Sequence, residues 1–139
     1  MYLLDTNVVS ELRRPDNANV RVRDWSAKAS LSPFYLSVVT VLEIESGVLR
    51  LERRDAAQGS ILRDWLDGQL LPGFDNRILG VDMAVARRCA ALHVPDPRSY
   101  RDALIAATAL VHGMTVVTRN VADFAATGVL LLNPWEQAV

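Results

Sequence analysis

The chain has 139 residues and a formal net charge of −1, and half of its residues are hydrophobic. This length fits one domain over 1–139, and the apolar fraction is enough to build a core. No apolar run approaches the roughly 18 residues that a membrane helix needs, and the amino terminus lacks a signal-peptide pattern. We therefore expect a cytoplasmic protein with no membrane association. The near-neutral charge excludes a protein that grips nucleic acid by bulk positive charge.

Hydrophobic periodicity predicts strands that alternate with helices. The first half gives a strand over 2–5, helices over 7–14 and 20–29, a strand over 34–38, and helices over 40–54 and 56–71. The second half gives a strand over 77–81, helices over 82–92 and 99–111, a strand over 114–118, a short helix near residue 122 and a strand over 129–132. Because parallel neighbours need a crossover, this alternation predicts an α/β fold with three α/β/α layers.

An acidic residue stands at four of the predicted strand and helix junctions. Ligand sites of parallel sheets form at the carboxyl ends of strands, where helices begin. The junction acids are Asp5, Glu43, Asp102 and Asp123. We therefore expect these carboxylates to converge on one crevice.

Helix capping is an alternative explanation for three of the four acids. Each follows, at capping-box spacing, a residue that can cap a helix, and an acid there also complements the helix dipole. The pairs are Thr40 with Glu43, Ser99 with Asp102, and Asn120 with Asp123. Asp5 is the last residue of a buried strand, so we expect it to have no capping role.

Converging carboxylates repel one another unless a cation neutralises them. An all-oxygen ligand set without paired His or Cys residues suits Mg²⁺ or Mn²⁺ rather than structural zinc. Such ions activate a water and neutralise the oxygens of an in-line phosphoryl displacement. The cluster therefore predicts hydrolysis of a phosphodiester bond.

Five stretches in order resemble the PIN-domain family, and within it the VapC-like toxin ribonucleases of the FitB-like branch. They are the segment 3–11 with its Asp-Thr-Asn core, 40–44 with Gly47, Asp102 with 105–109, 117–120, and the Asn-Pro-Trp of 133–135. The resemblance implies a single PIN domain over 1–139 with a five-stranded parallel sheet. It also implies a Mg²⁺- or Mn²⁺-dependent endoribonuclease of a type II toxin–antitoxin system, acting on RNA as a homodimer. A VapB-like antitoxin is expected to occupy the acidic groove.

The family's first three metal-binding acids fall on Asp5, Glu43 and Asp102. The fourth position is a departure, since many relatives have an aspartate where this sequence has Asn120. An amide can bind or orient water but brings no charge, and Asp123 lies about one helical turn onward. Either residue could complete the site, and the number of metal ions stays open.

Supporting roles follow from position. Thr6 and Thr118 lie at strand ends and could hydrogen-bond a carboxylate or water, although capping explains them equally well. Three arginines flank the acidic junctions and could hold RNA phosphates, or simply form a solvated surface. These are Arg98, Arg101 and Arg119.

Other classes of protein place acids at strand ends. A phosphoacceptor signalling domain needs a lysine after a late strand, but the sole lysine is Lys28. A haloacid-type phosphatase needs a second aspartate where this chain has Asn7. A PIN-fold scaffold that binds RNA without turnover and a stand-alone housekeeping nuclease stay open as alternatives.

Overall fold

The computed structural model describes residues 1–29 and 31–137 of the chain. Its strands form one parallel sheet in the order β3-β2-β1-β4-β5. The bounds are β1 Tyr2–Leu4, β2 Phe34–Ser37, β3 Ile78–Leu79, β4 Thr115–Val117 and β5 Leu131–Leu132. The predicted five-stranded parallel sheet is confirmed, with strands shorter than their apolar runs.

Helices connect the strands in chain order. They are α1 Thr6–Leu12, α2 Val20–Ala29, α3 Val38–Arg54, α4 Ala56–Trp65, α5 Leu71–Gly73, α6 Met83–Leu92 and α7 Tyr100–His112. Short 3-10 turns lie at Pro15–Asn17, Val121–Phe124 and Pro134–Glu136. The helix predicted over 56–71 is divided, because a π-helical segment, Leu66–Leu70, separates α4 from α5.

Apolar side chains cover both faces of the sheet. On one face Leu4 packs with Val8 of α1 and Val48 of α3. On the other face Leu3 packs with Ile105 of α7 and Phe124. Successive residues of β1 thus point into different cores, as the two-residue period of a strand requires. The three-layer α/β/α class is confirmed.

Helix α3 begins two residues earlier than the sequence predicts. The side chain of Ser37 accepts a hydrogen bond from the backbone N–H of Val39 over 3.0 Å and caps the helix at Val38. The β-branched residues that follow suit a strand as well as a helix, so their pattern does not locate this boundary. The earlier start places Glu43 in the second turn of α3 rather than at its amino end.

Helices α3 and α4 form an antiparallel hairpin with only Asp55 between them. They approach most closely at Gly59, where an added Cβ would lie 2.4 Å from the Cα of Glu52. Arg63 of α4 also pairs with Glu45 at 2.7 Å and Glu52 at 3.0 Å on α3. A small residue and an ion-pair network therefore fix this hairpin.

None of the helices in the described part of the chain is both long enough and apolar enough to cross a membrane.

Candidate active site

The order of the strands creates a crevice beside β1. The chain passes from β1 to β2 and β3 on one side, and later adds β4 and β5 on the other. In such sheets the loops on either side of the reversal splay apart at the carboxyl ends of the strands. Asp5 and Thr118 directly follow the adjacent strands β1 and β4, so they face each other at this point.

Asp5 is the most buried acid of the site, with 1% of its surface exposed. Its Oδ1 accepts the backbone N–H of Thr6 at 2.7 Å, and its Oδ2 accepts the hydroxyl of Thr118 at 2.8 Å. The amide of Asn7 lies 3.5 Å from the same Oδ2. A buried carboxylate needs such partners, and here two neighbouring strand ends supply them.

The guanidinium of Arg101, in the first turn of α7, brings three acids together. Its Nε donates to Glu43 at 2.9 Å, its Nη1 donates to Asp102 at 2.8 Å, and its Nη2 donates to Asp5. Thr6 strengthens the cluster, because its hydroxyl donates to Glu43 at 2.7 Å. Three predicted site acids thus meet around one positive charge, and the cluster keeps an excess of negative charge.

These contacts set the protonation of Glu43 and Arg101. Burial raises the pKa of the Glu43 carboxyl, but the hydrogen bonds from Arg101 and Thr6 together outweigh it and leave the pKa lowered. Burial likewise lowers the pKa of Arg101, yet its bonds to Glu43 and Asp5 raise it well above the ordinary value. Glu43 is therefore ionised and Arg101 charged at neutral pH.

The structure tests the capping explanation for Asp5, Glu43 and Asp102. Contrary to expectation, Asp5 does cap a helix, because α1 starts at Thr6 and directly follows it. Ser99 caps α7 by accepting the N–H of Asp102 at 3.3 Å, while the Asp102 carboxylate accepts from Arg101. Glu43 has no capping position at all. Capping therefore accounts for part of the role of Asp5. It does not account for Glu43, whose contacts are those of the acidic cluster.

Asn120 and Asp123 lie apart from the cluster. Both are exposed, and Asn120 precedes the 3-10 turn that contains Asp123. The backbone N–H of Asn120 donates to the Thr118 hydroxyl at 3.0 Å, which places this residue one contact away from Asp5. Across residues 1–29 and 31–137, no hydrogen bond or ion pair joins the Asp123 side chain to the other three acids.

The two other flanking arginines make structural contacts. Arg98 donates to the carbonyl oxygens of Leu92 and Ala125, each at 3.0 Å, and so ties the loop after α6 to the segment after the 3-10 turn. Arg119 is exposed, and its guanidinium lies 5.2 Å from the ring centre of Trp135. Of the three, Arg101 alone contacts the acids.

Asn7 supports the site in a way that is not predicted from the sequence. Its amide donates to the Thr118 hydroxyl at 3.3 Å, and its carbonyl oxygen accepts the backbone N–H of Arg119 at 3.3 Å. It therefore joins α1 to the end of β4 directly behind Asp5. The sequence feature that could have indicated this role is the Asp-Thr-Asn order, which makes Asn7 the second residue of α1.

The donor chemistry fits a hard divalent cation, but the present spacing does not. Carboxylate oxygens from three elements converge, and such oxygens are preferred ligands of Mg²⁺ and Mn²⁺. Within the described residues, however, no three Asp, Glu, His or Cys side chains stand close enough together to hold an ion. The guanidinium of Arg101 lies between the acids, in the place that an ion would take.

Replacing Thr118 with valine is expected to lower the free energy of unfolding by about 2 kcal/mol, because Asp5 loses a buried charged hydrogen bond. The hydroxyl of Thr118 is fully buried, and it also accepts hydrogen bonds from the side-chain amide of Asn7 and the backbone N–H of Asn120. Urea unfolding in the presence of EDTA measures the change. Thr118→Ser is the control, since it keeps the hydroxyl; a serine variant less stable than the valine variant would contradict the expectation.

A doubly wound parallel sheet with carboxylates in its switch-point crevice defines an α/β domain with an acidic site. The chain belongs to the PIN domain family, whose model matches residues 2–130. This confirms the family resemblance.

Related proteins match the chain over nearly its full length. The VapC ribonuclease Y4jK of Sinorhizobium fredii is 36% identical, with 99% of this chain and 100% of that protein covered. Toxin FitB of Neisseria gonorrhoeae is 39% identical, with 97% and 99% covered. The crystal structure of FitAcB from the same organism superposes with a TM-score of 0.88 at 38% identity, covering 99% of this chain and 100% of that one. The chain is thus similar to named toxins and ribonucleases in both sequence and fold.

Proposed function

We propose that this protein is a Mg²⁺- or Mn²⁺-dependent endoribonuclease and the toxin of a toxin–antitoxin pair. The observation that carries the proposal is the convergence of Asp5, Glu43 and Asp102 in the crevice beside β1. Its relatives include proteins named as a VapC ribonuclease and as a toxin. The chemistry of the site points to hydrolysis of a phosphodiester bond, and the name of one relative points to RNA as the substrate.

The three acids would hold the cation, and the residues around them orient their oxygens. Thr6 fixes Glu43 through its hydroxyl and Asp5 through its backbone N–H. Thr118 fixes the second oxygen of Asp5. When bound, the cation would supply charge neutralisation at the scissile phosphate and would lower the pKa of a water. The chain's own contribution is to preorganise these carboxylates at one edge of the sheet.

The fourth corner of the site is proposed for Asp123, with Asn120 orienting water. Asp123 is exposed in the 3-10 turn that follows Asn120, so its carboxylate is available to turn toward a bound ion. Asn120 is held next to the site through its N–H bond to Thr118. The other three acids are proposed to be the main metal ligands, because all three already contact Arg101.

Positive charge near the crevice would hold the RNA backbone. Arg119 is exposed directly after Thr118, and its guanidinium rests on the face of Trp135. The guanidinium of Arg98 already donates to two carbonyl oxygens, so Arg98 would attract RNA phosphates only through its charge at longer range. Arginine forks suit phosphate oxygens, and a local patch of this kind is compatible with the net charge of −1.

Two protein partners follow from the family. A VapB-like antitoxin would place a basic side chain among the carboxylates, where negative charge is in excess.

A second copy of the chain would cover the exposed apolar side chains along one face of α3. These are Val38, Leu42 and Leu49, exposed by 39%, 67% and 55%. Their spacing of four and seven residues puts them in one helical stripe, which suits a homodimer contact.

One observation favours a second candidate function, an RNA-binding scaffold without turnover. Arg101 takes the place among the acids that a cation would need. A scaffold would bind RNA whether or not divalent ions were present. The two functions are therefore separated by the response to metal.

The test is to incubate purified protein, freed of any copurifying partner, with a mixed RNA pool. We expect cleavage with Mg²⁺ or Mn²⁺ and at least about a 100-fold lower rate with excess EDTA, because the ions carry the phosphoryl chemistry. Electrophoresis of end-labelled RNA measures the rate. Cleavage that EDTA leaves unchanged would sink the metal mechanism, and RNA binding without cleavage would favour the scaffold.

A further inference from the structure

One guanidinium neutralises carboxylates from three separate elements of the fold. Asp5 follows β1, Glu43 lies in α3, and Asp102 lies beside Arg101 in α7. Each nitrogen of the Arg101 fork faces a different carboxylate, so the side chain bridges three acids instead of pairing with one. Asp5 and Glu43 are 96 and 58 residues away from Arg101 along the chain. The contact is therefore a product of the tertiary fold.

The oxygens that accept from Arg101 are the ones a divalent cation would require. They are Oδ1 of Asp5, Oε2 of Glu43 and Oδ1 of Asp102. Mg²⁺ binds carboxylate oxygens at about 2.0 to 2.1 Å, which leaves no room for a guanidinium between the same atoms. Occupation by Arg101 and occupation by a metal ion thus exclude each other.

We propose that Arg101 is an internal counter-ion that competes with the divalent cation for the acidic cluster, so that metal binding requires its guanidinium to leave. This inference rests on the proposed function in one respect, namely that the cluster is the metal site. It adds a regulation of that site by a residue of the chain itself. In the metal-free protein Arg101 holds the acids together, and in the metal-bound protein it is displaced.

The position of Arg101 allows it to move. Its side chain is 30% exposed, and Ser99 rather than Arg101 caps α7. Departure of the guanidinium therefore breaks no contact that starts the helix. Its three hydrogen bonds to carboxylates and a fourth to the Thr6 hydroxyl are lost when it leaves, and this cost lowers the apparent affinity for the ion. The site would stay closed until the free cation concentration is high enough to displace the arginine.

The first measurement is calorimetric titration of the metal-free protein with Mg²⁺, without RNA. We expect Arg101→Met to bind Mg²⁺ at least about tenfold more tightly than the wild type, because the competing charge is gone. Arg101→Lys should fall between the two, since an ammonium still competes but cannot face three carboxylates in a plane. Arg87→Met, an exposed residue of α6, removes the same charge away from the cluster and should leave the affinity within about twofold of the wild-type value.

The second measurement separates displacement from a simple change of charge. The Nε–H signal of Arg101 in a ¹⁵N spectrum, assigned by its loss in Arg101→Lys, should shift and exchange faster with solvent as Mg²⁺ saturates the wild type. An Arg101 signal unchanged at saturation overturns the inference. So does equal affinity of the wild type and Arg101→Met, or the absence of saturable binding in both.

The outcomes also distinguish this inference from the proposed function. Tighter binding by Arg101→Met together with a displaced arginine supports the inference even if no RNA is cut. Conversely, cleavage that depends on Mg²⁺ while Arg101 keeps its bonds upholds the function and overturns the inference.

Discussion

Replacing Asp5 with asparagine is expected to reduce the rate of RNA cleavage at least about 100-fold, because the most buried acid of the cluster loses its charge. Asparagine has nearly the same shape and still accepts the backbone N–H of Thr6. The fold should therefore persist while the site fails. Single-turnover cleavage at saturating Mg²⁺ measures the effect.

Two further variants test whether the effect is specific to Asp5. Asp64→Asn removes an exposed carboxylate from α4 and should leave the rate unchanged. Asp123→Asn should reduce the rate less than Asp5→Asn, since Asp123 lies outside the three-acid cluster. Thermal unfolding of each variant checks that the protein is folded. A fully active, folded Asp5→Asn protein would refute a carboxylate mechanism centred on β1.

Replacing Gly59 with alanine is expected to lower the free energy of unfolding by about 3 kcal/mol, because the new methyl group meets backbone atoms. The added Cβ would lie 2.4 Å from the Cα and 2.7 Å from the backbone nitrogen of Glu52. Neither atom can move aside without separating α3 from α4. The helical preference of alanine returns about 1 kcal/mol, which is too little to offset the clash. Urea unfolding measures the loss.

Gly47→Ala makes the same chemical change with the opposite expected result. Gly47 lies inside α3, and an added Cβ there meets nothing within 4 Å. Alanine should raise the free energy of unfolding by about 0.5 to 1 kcal/mol by lowering the entropy of the unfolded chain and favouring the helix. If both variants were equally stable, close packing at Gly59 would not be the cause.

The order of elements could be predicted from the sequence because hydrophobic periodicity differs between strands and helices. The boundaries could not, where local patterns suit two structures. The run from Val38 to Val41 is β-branched, and only the cap by Ser37 places it in α3. Similarly, the single helix predicted over 56–71 hides the π-helical turn at Leu66–Leu70. One residue of extra winding leaves the apolar spacing almost unchanged.

The acids of the site could be predicted from their junctions, but their arrangement could not. Nothing local to Arg101 indicates that it reaches Glu43 and Asp5, since these contacts depend on how α7 packs beside α3 and β1. From the sequence, Arg101 is predicted only as a residue that could hold RNA phosphates. Asp5 was expected to lack a capping role, and that was wrong because α1 starts one residue earlier than its pattern suggests.

The pairing of β1 with β4 bears on when the site can form during synthesis. Leu4 aligns with Val117, and the hydroxyl of Thr118 reaches an aspartate 113 positions earlier. As the ribosome releases the chain from its amino end, β1 can pair with β2 early, but its other edge waits for β4. A nascent or prematurely terminated chain would therefore carry Asp5 without its partners. The three-acid site can therefore form only after α7 and β4 have been synthesised, and closing contacts this distant in sequence slows folding.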